Sequence, residues 1–152
     1  MISSICESVG VVLKNPQGEY LAVKRKLKPV GWGFPAAHLI EEKTRVKWHP
    51  GEVIRRVVGE ETGIRLINIY TIMDGGRIVV IEDGCRRGFQ THFCHLYGVR
   101  SYEGVPKVMR SDKHERVEFV TFQQLQEFEK NEKTDPAWFK YILPDLKERN
   151  LL

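Results

Sequence analysis

The stretch Arg56-Val57-Val58-Gly59-Glu60-Glu61-Thr62-Gly63-Ile64 decides how the rest of this chain is read. Upstream of it Pro50 sits where a first-turn proline belongs, and Gly63 sits where a glycine just past a helix end belongs, so a helix is predicted between them. Val53, Ile54, Val57 and Val58 fall at i, i+1, i+4 and i+5 and make one apolar stripe. Glu52, Arg56 and Glu60 form a polar ridge, with Glu61 alongside. The two glutamates therefore stand in the last turn, at the negative end of the helix dipole, where carboxylates are unfavourable. A divalent cation relieves that cost, and Mg2+ is typically held by one or two carboxylates plus substrate phosphates. Arg56, one turn earlier, is placed to orient Glu60. The plainer reading is a solvated Glu-Glu pair with an Arg56–Glu60 surface ion pair worth only about 0.3–0.5 kcal/mol. Gly59, inside the helix, costs about 1 kcal/mol relative to alanine, and marks either a close backbone approach or a tolerated defect.

Outward from this helix the elements alternate in type. Residues 6–14 carry the apolar run Val9-Gly10-Val11-Val12-Leu13 and read as a strand. Asn15-Pro16-Gln17-Gly18 is a turn by its chemistry, and residues 19–25 alternate, Tyr20 and Ala22 on one face, Leu21 and Val23 on the other. These two segments are expected to form a hairpin. Beyond the helix, residues 64–73, 77–82 and 89–100 read as strands, separated at Asp74-Gly75-Gly76 and Asp83-Gly84, and 115–120 as one more. Thr121 can cap a helix over 122–130 with Leu125 and Phe128 buried. Asp135-Pro136 opens a final helix, interrupted or ended before Pro144. This mixed order fits an α+β fold, an α/β/α sandwich with a mixed sheet between helices, better than a doubly wound one.

Composition narrows the class. The chain has 152 residues, 41% hydrophobic and 29% charged, which suits one domain over residues 1–152 and excludes disorder. No apolar run approaches the roughly 20 residues that span a bilayer, and the N-terminus lacks a signal peptide's basic and apolar regions. A cytoplasmic protein with no membrane partner is expected. The net charge of +4 can attract phosphates. The cluster Lys24-Arg25-Lys26-Leu27-Lys28 reads as a solvated face, so a nucleic-acid partner is not expected. Cys6, Cys85 and Cys94 are odd in number and lack CxxC spacing, which argues against a disulfide framework or a structural zinc site and for reduced, buried thiols. His92 and His95, three apart in a strand, should face opposite ways.

Joined to the upstream Gly31-Trp32-Gly33-Phe34-Pro35 loop, the helix resembles the Nudix hydrolase family, whose box reads G-x5-E-x7-R-E-U-x-E-E-x-G-U after a Trp-x-x-Pro-Gly-Gly approach. The second half of the box matches at Arg56, Val58, Glu60, Glu61, Gly63 and Ile64, and the approach at Trp32, Phe34 and Pro35. Residues 15–25 resemble the family's first hairpin and 115–125 its last strand and following helix, so the likeness covers about residues 6–130. Three departures stand out. Ala36-Ala37 replaces Gly-Gly, and Val57 replaces one of three metal carboxylates. The first box glutamate has no clean counterpart: counting from Ala37 gives Lys43 with Glu42 beside it, and counting back from Arg56 gives Trp48, because the loop 41–50 carries about five extra residues.

The resemblance implies an enzyme that uses Mg2+ or Mn2+ to hydrolyse a nucleoside diphosphate linked to another moiety. Glu60 and Glu61 would be metal ligands, Glu42 or Glu115 would fill the vacant ligand position, and Arg56 would support them. Trp32, Ala36, Ala37 and His38 would contact substrate, and His114 next to Glu115 could accept a proton; the plainer readings are a core aromatic for Trp32 and a surface or hydrogen-bonded role for His38. The branch hydrolysing GDP-mannose also lacks one box glutamate and substitutes at sugar carbon, so that chemistry is an alternative. Family members often pair as homodimers. A domain that has lost catalysis and only binds nucleotide, RNA or protein is a second reading, warranted by Val57 and Ala36-Ala37, and a ligand-free scaffold is a third.

Overall fold

Helix α1, Pro50–Thr62, has the ends the sequence predicts. Gly63 adopts the left-handed conformation (φ 77°) and its N–H donates to the Gly59 carbonyl. At the other end His49 caps the helix, its Nδ1 accepting the Gly51 N–H at 3.1 Å. Val53, Ile54, Val57 and Val58 are all buried, each contributing about 1.5–3 kcal/mol if fully withdrawn from water. A Cβ on Gly59 would meet only the Ile64 carbonyl oxygen, at 3.8 Å, so no backbone presses on it and the glycine is the tolerated defect.

The computed structural model describes residues 5–82 and 84–152, so the first four residues and Asp83 of the Asp83-Gly84 break lie outside it. The strands are β1 Ile5–Val12, β2 Tyr20–Arg25, β3 Gly31–Gly33, β4 Ala36–His38, β5 Arg65–Val80, β6 Thr91–Glu103 and β7 His114–Val120. They make two sheets, one in the order β4-β1-β6-β5 and one in the order β3-β2-β7. The first is mixed, because β1 runs parallel to β6 and every other pair is antiparallel. The second is antiparallel throughout.

The expected first hairpin holds only at its mouth. Around the 15–18 turn, Lys14 bridges Tyr20 and the Leu21 N–H donates to Leu13 at 3.0 Å, after which β1 and β2 part into different sheets. The alternation of β2 explains why it parts there. Tyr20 and Ala22 enter one core and Leu21 and Val23 the other, so this strand is a wall between two apolar layers.

The break expected at Asp74-Gly75-Gly76 is a bulge, not a turn. β5 stays paired with β6 from Arg65 to Val80, with small register shifts around Asn68 and a larger one between Thr71 and Gly76. Met73 and Asp74 both take φ 53° within it. Gly76 is required there, since a Cβ would overlap the Cys94 carbonyl.

Helix α1 packs on the first core, with Val9, Val11, Leu39, Ile64 and Leu66. The second core is closed by α2, Phe122–Asn131, and by the C-terminal segment. Thr121 caps α2 in a reciprocal box with Gln124. The last segment is a π-helical turn, Ala137–Ile142, running into α3, Leu143–Glu148. The winding changes just before Pro144, which sits in the first turn of α3, so the final helix is interrupted there, as expected, and does not end. Trp138 lies so close over β1 that a Cβ on Gly10 would overlap its ring. Helices thus flank the sheets on both sides, as the element order predicted.

Candidate active site

The last turn of α1 opens onto a cleft of about 250 Å³ walled by β1, β4, the end of β2, the start of β7 and the turn that follows β5. Glu60 and Glu61 line it together with Arg56 and Val57. Glu60 is exposed. Glu61 is nearly covered, its side chain 12% accessible, with Lys113 Nζ at 3.2 Å from Oε1 and His114 Nε2 at 3.8 Å from Oε2. Arg25, Lys28, Arg86 and Arg87 join Arg56 and Lys113 around the same cleft. Six cations face three carboxylates, counting Asp135, and the balance favours an anionic ligand.

Burial sets the protonation of the groups at the cleft floor. It lowers the pKa of His114, against the pull of the Glu61 carboxylate, so the imidazole is held neutral. It also lowers that of the Arg25 guanidinium, opposed by Asp135 and Glu61, and Arg25 Nε has no hydrogen-bond partner. The Asp135 carboxyl is pushed up to about 6 by burial, although its Oδ1 accepts the Ala137 N–H at 2.9 Å.

Seven of the candidate site residues read from the sequence come together here: Glu60, Glu61, Arg56, Ala36, Ala37, His38 and His114 all line the cleft. Three do not. Trp32 is completely buried, stacked on Phe128 with centroids 4.1 Å apart, and its Nε1 donates to Glu132 at 3.1 Å. It is a core residue and has no free face for a base. Glu115 points away from the cleft, 56% accessible and 3.6 Å from Lys24 Nζ, because strand alternation turns its neighbour His114 inward instead. Glu42 is 65% accessible and pairs with Arg87 Nε at 3.2 Å. Among the described residues no third His, Cys, Asp or Glu ligand joins Glu60 and Glu61 at one point.

Lys113, Arg25, Asp135 and the Arg86-Arg87 pair were not singled out. Only Arg25 carried a signal, as part of the basic run 24–28. The long loop before α1 stays at the surface, with Val46 45% and Trp48 51% exposed. It is pinned by a Lys47–Glu7 ion pair of 2.6 Å, and Trp48 borders a side pocket shared with Glu52 and Arg56.

The family model described as NUDIX domain matches residues 5–145. The chain belongs to the NUDIX domain family. No curated protein matches it. Among solved structures it is similar to the MutT protein of Methanosarcina mazei Go1 at 19% identity, with a TM-score of 0.67 over 99% of this chain and 98% of that one. The NUDIX domain of Shewanella oneidensis NrtR, solved in complex with ADP ribose, aligns at 18% identity and a TM-score of 0.68, over 98% and 90% of the two chains. A MutT NUDIX hydrolase from Burkholderia pseudomallei aligns at 21% and 0.61, over 78% and 84%. These likenesses show the same fold. No helix among the described residues is long and apolar enough to cross a membrane.

Proposed function

We propose that this chain is a divalent-metal-dependent hydrolase of a nucleoside diphosphate linked to a second moiety. One observation carries the reading: the carboxylates of Glu60 and Glu61 open onto the same cleft as Arg25, Lys28, Arg86, Arg87 and Lys113. The donor set is hard oxygen on two adjacent carboxylates, which suits Mg2+ or Mn2+ with water and phosphate completing the shell. Such a cation supplies charge neutralisation and a more acidic bound water. The remaining work falls to side chains. Lys113 and the arginines hold the diphosphate, Lys113 also fixes Glu61, and neutral His114 is placed to accept a proton beside it. Ala36, Ala37 and His38 form the wall along which the second moiety lies. The ADP-ribose complex of the NrtR domain supports a diphosphate-containing ligand for this fold.

A second reading, binding without turnover, is favoured by one feature. Val57 stands where a third carboxylate would converge and is 8% exposed in the apolar core, leaving the cation two protein ligands. Incubating the protein with a panel of nucleoside diphosphate derivatives and Mn2+ separates the two. Metal-dependent product formation supports the hydrolase, whereas a ligand-induced rise in Tm without turnover supports the binding domain. Turnover in 18O-labelled water then tells phosphorus from sugar carbon as the point of attack, by whether label enters the phosphate or the sugar product.

A further inference from the structure

A second constellation borders the cleft and shares only His38 with the residues that the hydrolytic reading uses. The Sγ atoms of Cys6 and Cys85 and one ring nitrogen each of His38 and His92 all lie within 4.8 Å of one another. The four come from four separate parts of the chain, β1, β4, the turn after β5 and β6, which is why no sequence spacing announced them. The strand registers explain how they meet. Cys6 is the direct partner of His92 across the parallel β1–β6 pair, and Ser8, on the same face of β1, is the partner of His38 across β1–β4. His38 and His92 thus flank Cys6 on one face, their ring centroids 6.4 Å apart, and Cys85 arrives from the turn above.

We propose that Cys6, His38, Cys85 and His92 form a tetrahedral structural Zn2+ site that ties the turn after β5 to β1 and β4. Two thiolates and two imidazoles are the donor set for this ion, and a site filled by four protein ligands is structural. Zn–S bonds of about 2.3 Å and Zn–N bonds of about 2.0–2.1 Å place tetrahedral ligand atoms roughly 3.3–3.8 Å apart. The spread of up to 4.8 Å closes to this by side-chain rotation.

Three further observations point to a ligand. His92 Nε2 is 2.9 Å from the Phe89 carbonyl, the outer hydrogen bond that fixes the tautomer of a metal-bound histidine and leaves Nδ1 for the ion. Cys94, the third cysteine, is set apart: its sulfur accepts the Ser8 hydroxyl at 3.3 Å and lies outside the group. Charge also balances. Binding replaces two thiol protons with one Zn2+, and imidazoles that ligate in their neutral form lose none. The occupied site is therefore uncharged.

The site has a structural task. Cys85 begins a tight turn, with the Gly88 N–H donating to Cys85 at 2.8 Å and the Cys85 N–H to Phe89 at 3.0 Å. The next two residues, Arg86 and Arg87, line the cleft. Anchoring Cys85 therefore fixes the two cations that face the anionic ligand.

Metal analysis of the protein, purified reduced and without chelator, tests this directly. About one Zn2+ per chain is expected, and Co2+ added to the metal-free protein should give the visible d–d bands and thiolate charge-transfer bands of a tetrahedral S2N2 site. Cys94→Ser should retain the zinc, whereas Cys85→Ser and His92→Gln should lose it. A chelator should lower the Tm of the wild type and of Cys94→Ser by several degrees and leave that of Cys85→Ser unchanged. Reduced wild-type protein that takes up neither stoichiometric Zn2+ nor tetrahedral Co2+ overturns the proposal. So does equal loss of metal in Cys94→Ser, or a Cys6–Cys85 disulfide found in the zinc-free purified protein.

Discussion

His114 Nε2 stands 3.8 Å from Glu61 Oε2 at the floor of the cleft, while the next residue along β7, Glu115, faces Lys24 on the opposite side of the strand. In the proposed reaction this relationship gives the proton-handling position to the histidine and not to the glutamate. His114→Gln is expected to lower kcat by at least about 100-fold, within the usual range for a general base. Glu115→Gln should leave it within about twofold, since it disturbs only an exposed ion pair. Steady-state kinetics of both variants decides the matter. An equal loss in both would contradict the assignment.

Val57 is three residues before Glu60 on α1, lines the cleft and is 8% exposed. A glutamate there would converge on the same point as Glu60 and Glu61. Val57→Glu is expected to tighten Mn2+ binding several-fold and to raise hydrolytic activity, with stability lowered by about 1–3 kcal/mol for the lost apolar contact. Calorimetric Mn2+ titration and a melting curve read both effects. A large fall in Tm with no gain in metal affinity would show that the position belongs to the core alone.

Asp135 carries the clearest pH signature. Its carboxyl is raised to about 6 by burial, so the folded protein holds this proton more tightly than the unfolded chain does. The resulting stabilisation is complete below about pH 4 and is lost as pH rises through 6, on the order of 3 kcal/mol across that window. Asp135→Asn cannot ionise and keeps the acceptor for the Ala137 N–H. Its stability relative to wild type should therefore improve between pH 4 and pH 7.5. Chemical denaturation at the two values measures this, and a difference independent of pH would refute it.

A Cβ on Gly59 would make only an ordinary contact, with the Ile64 carbonyl oxygen at 3.8 Å. Gly59→Ala should stabilise α1 by up to about 1 kcal/mol and raise Tm by roughly 2–4 °C, without changing turnover. A destabilised variant would reveal a contact at this face of the helix.

Helix α1 was legible because its start, stop and apolar stripe are all local, and Glu60 and Glu61 followed from it. The two-faced pattern of β2 was equally legible, yet the sheet each strand joins was not, because pairing is decided by distant partners. Sequence placed both His114 and Glu115 near the site and could not tell which faces it, because a single residue of register exchanges the faces of a strand. Trp32 reads in sequence equally as a base platform or as core, and its burial and stacking on Phe128 decide for the core. The Cys6–His38–Cys85–His92 group was invisible to any spacing rule, since its members lie on segments joined only by the fold.

The central claim is that Glu60 and Glu61 hold a divalent cation that hydrolysis requires. Its most direct test is the Mn2+ dependence of turnover, on a nucleoside diphosphate derivative, in wild type, Glu60→Gln and Glu61→Gln. The account predicts that wild-type turnover vanishes with EDTA and returns with Mn2+, and that each variant falls by at least about 100-fold. Glu60→Gln, at an exposed helix end, should do so with its Tm almost unchanged. Turnover that persists without metal, or rates in both variants equal to wild type, would contradict it.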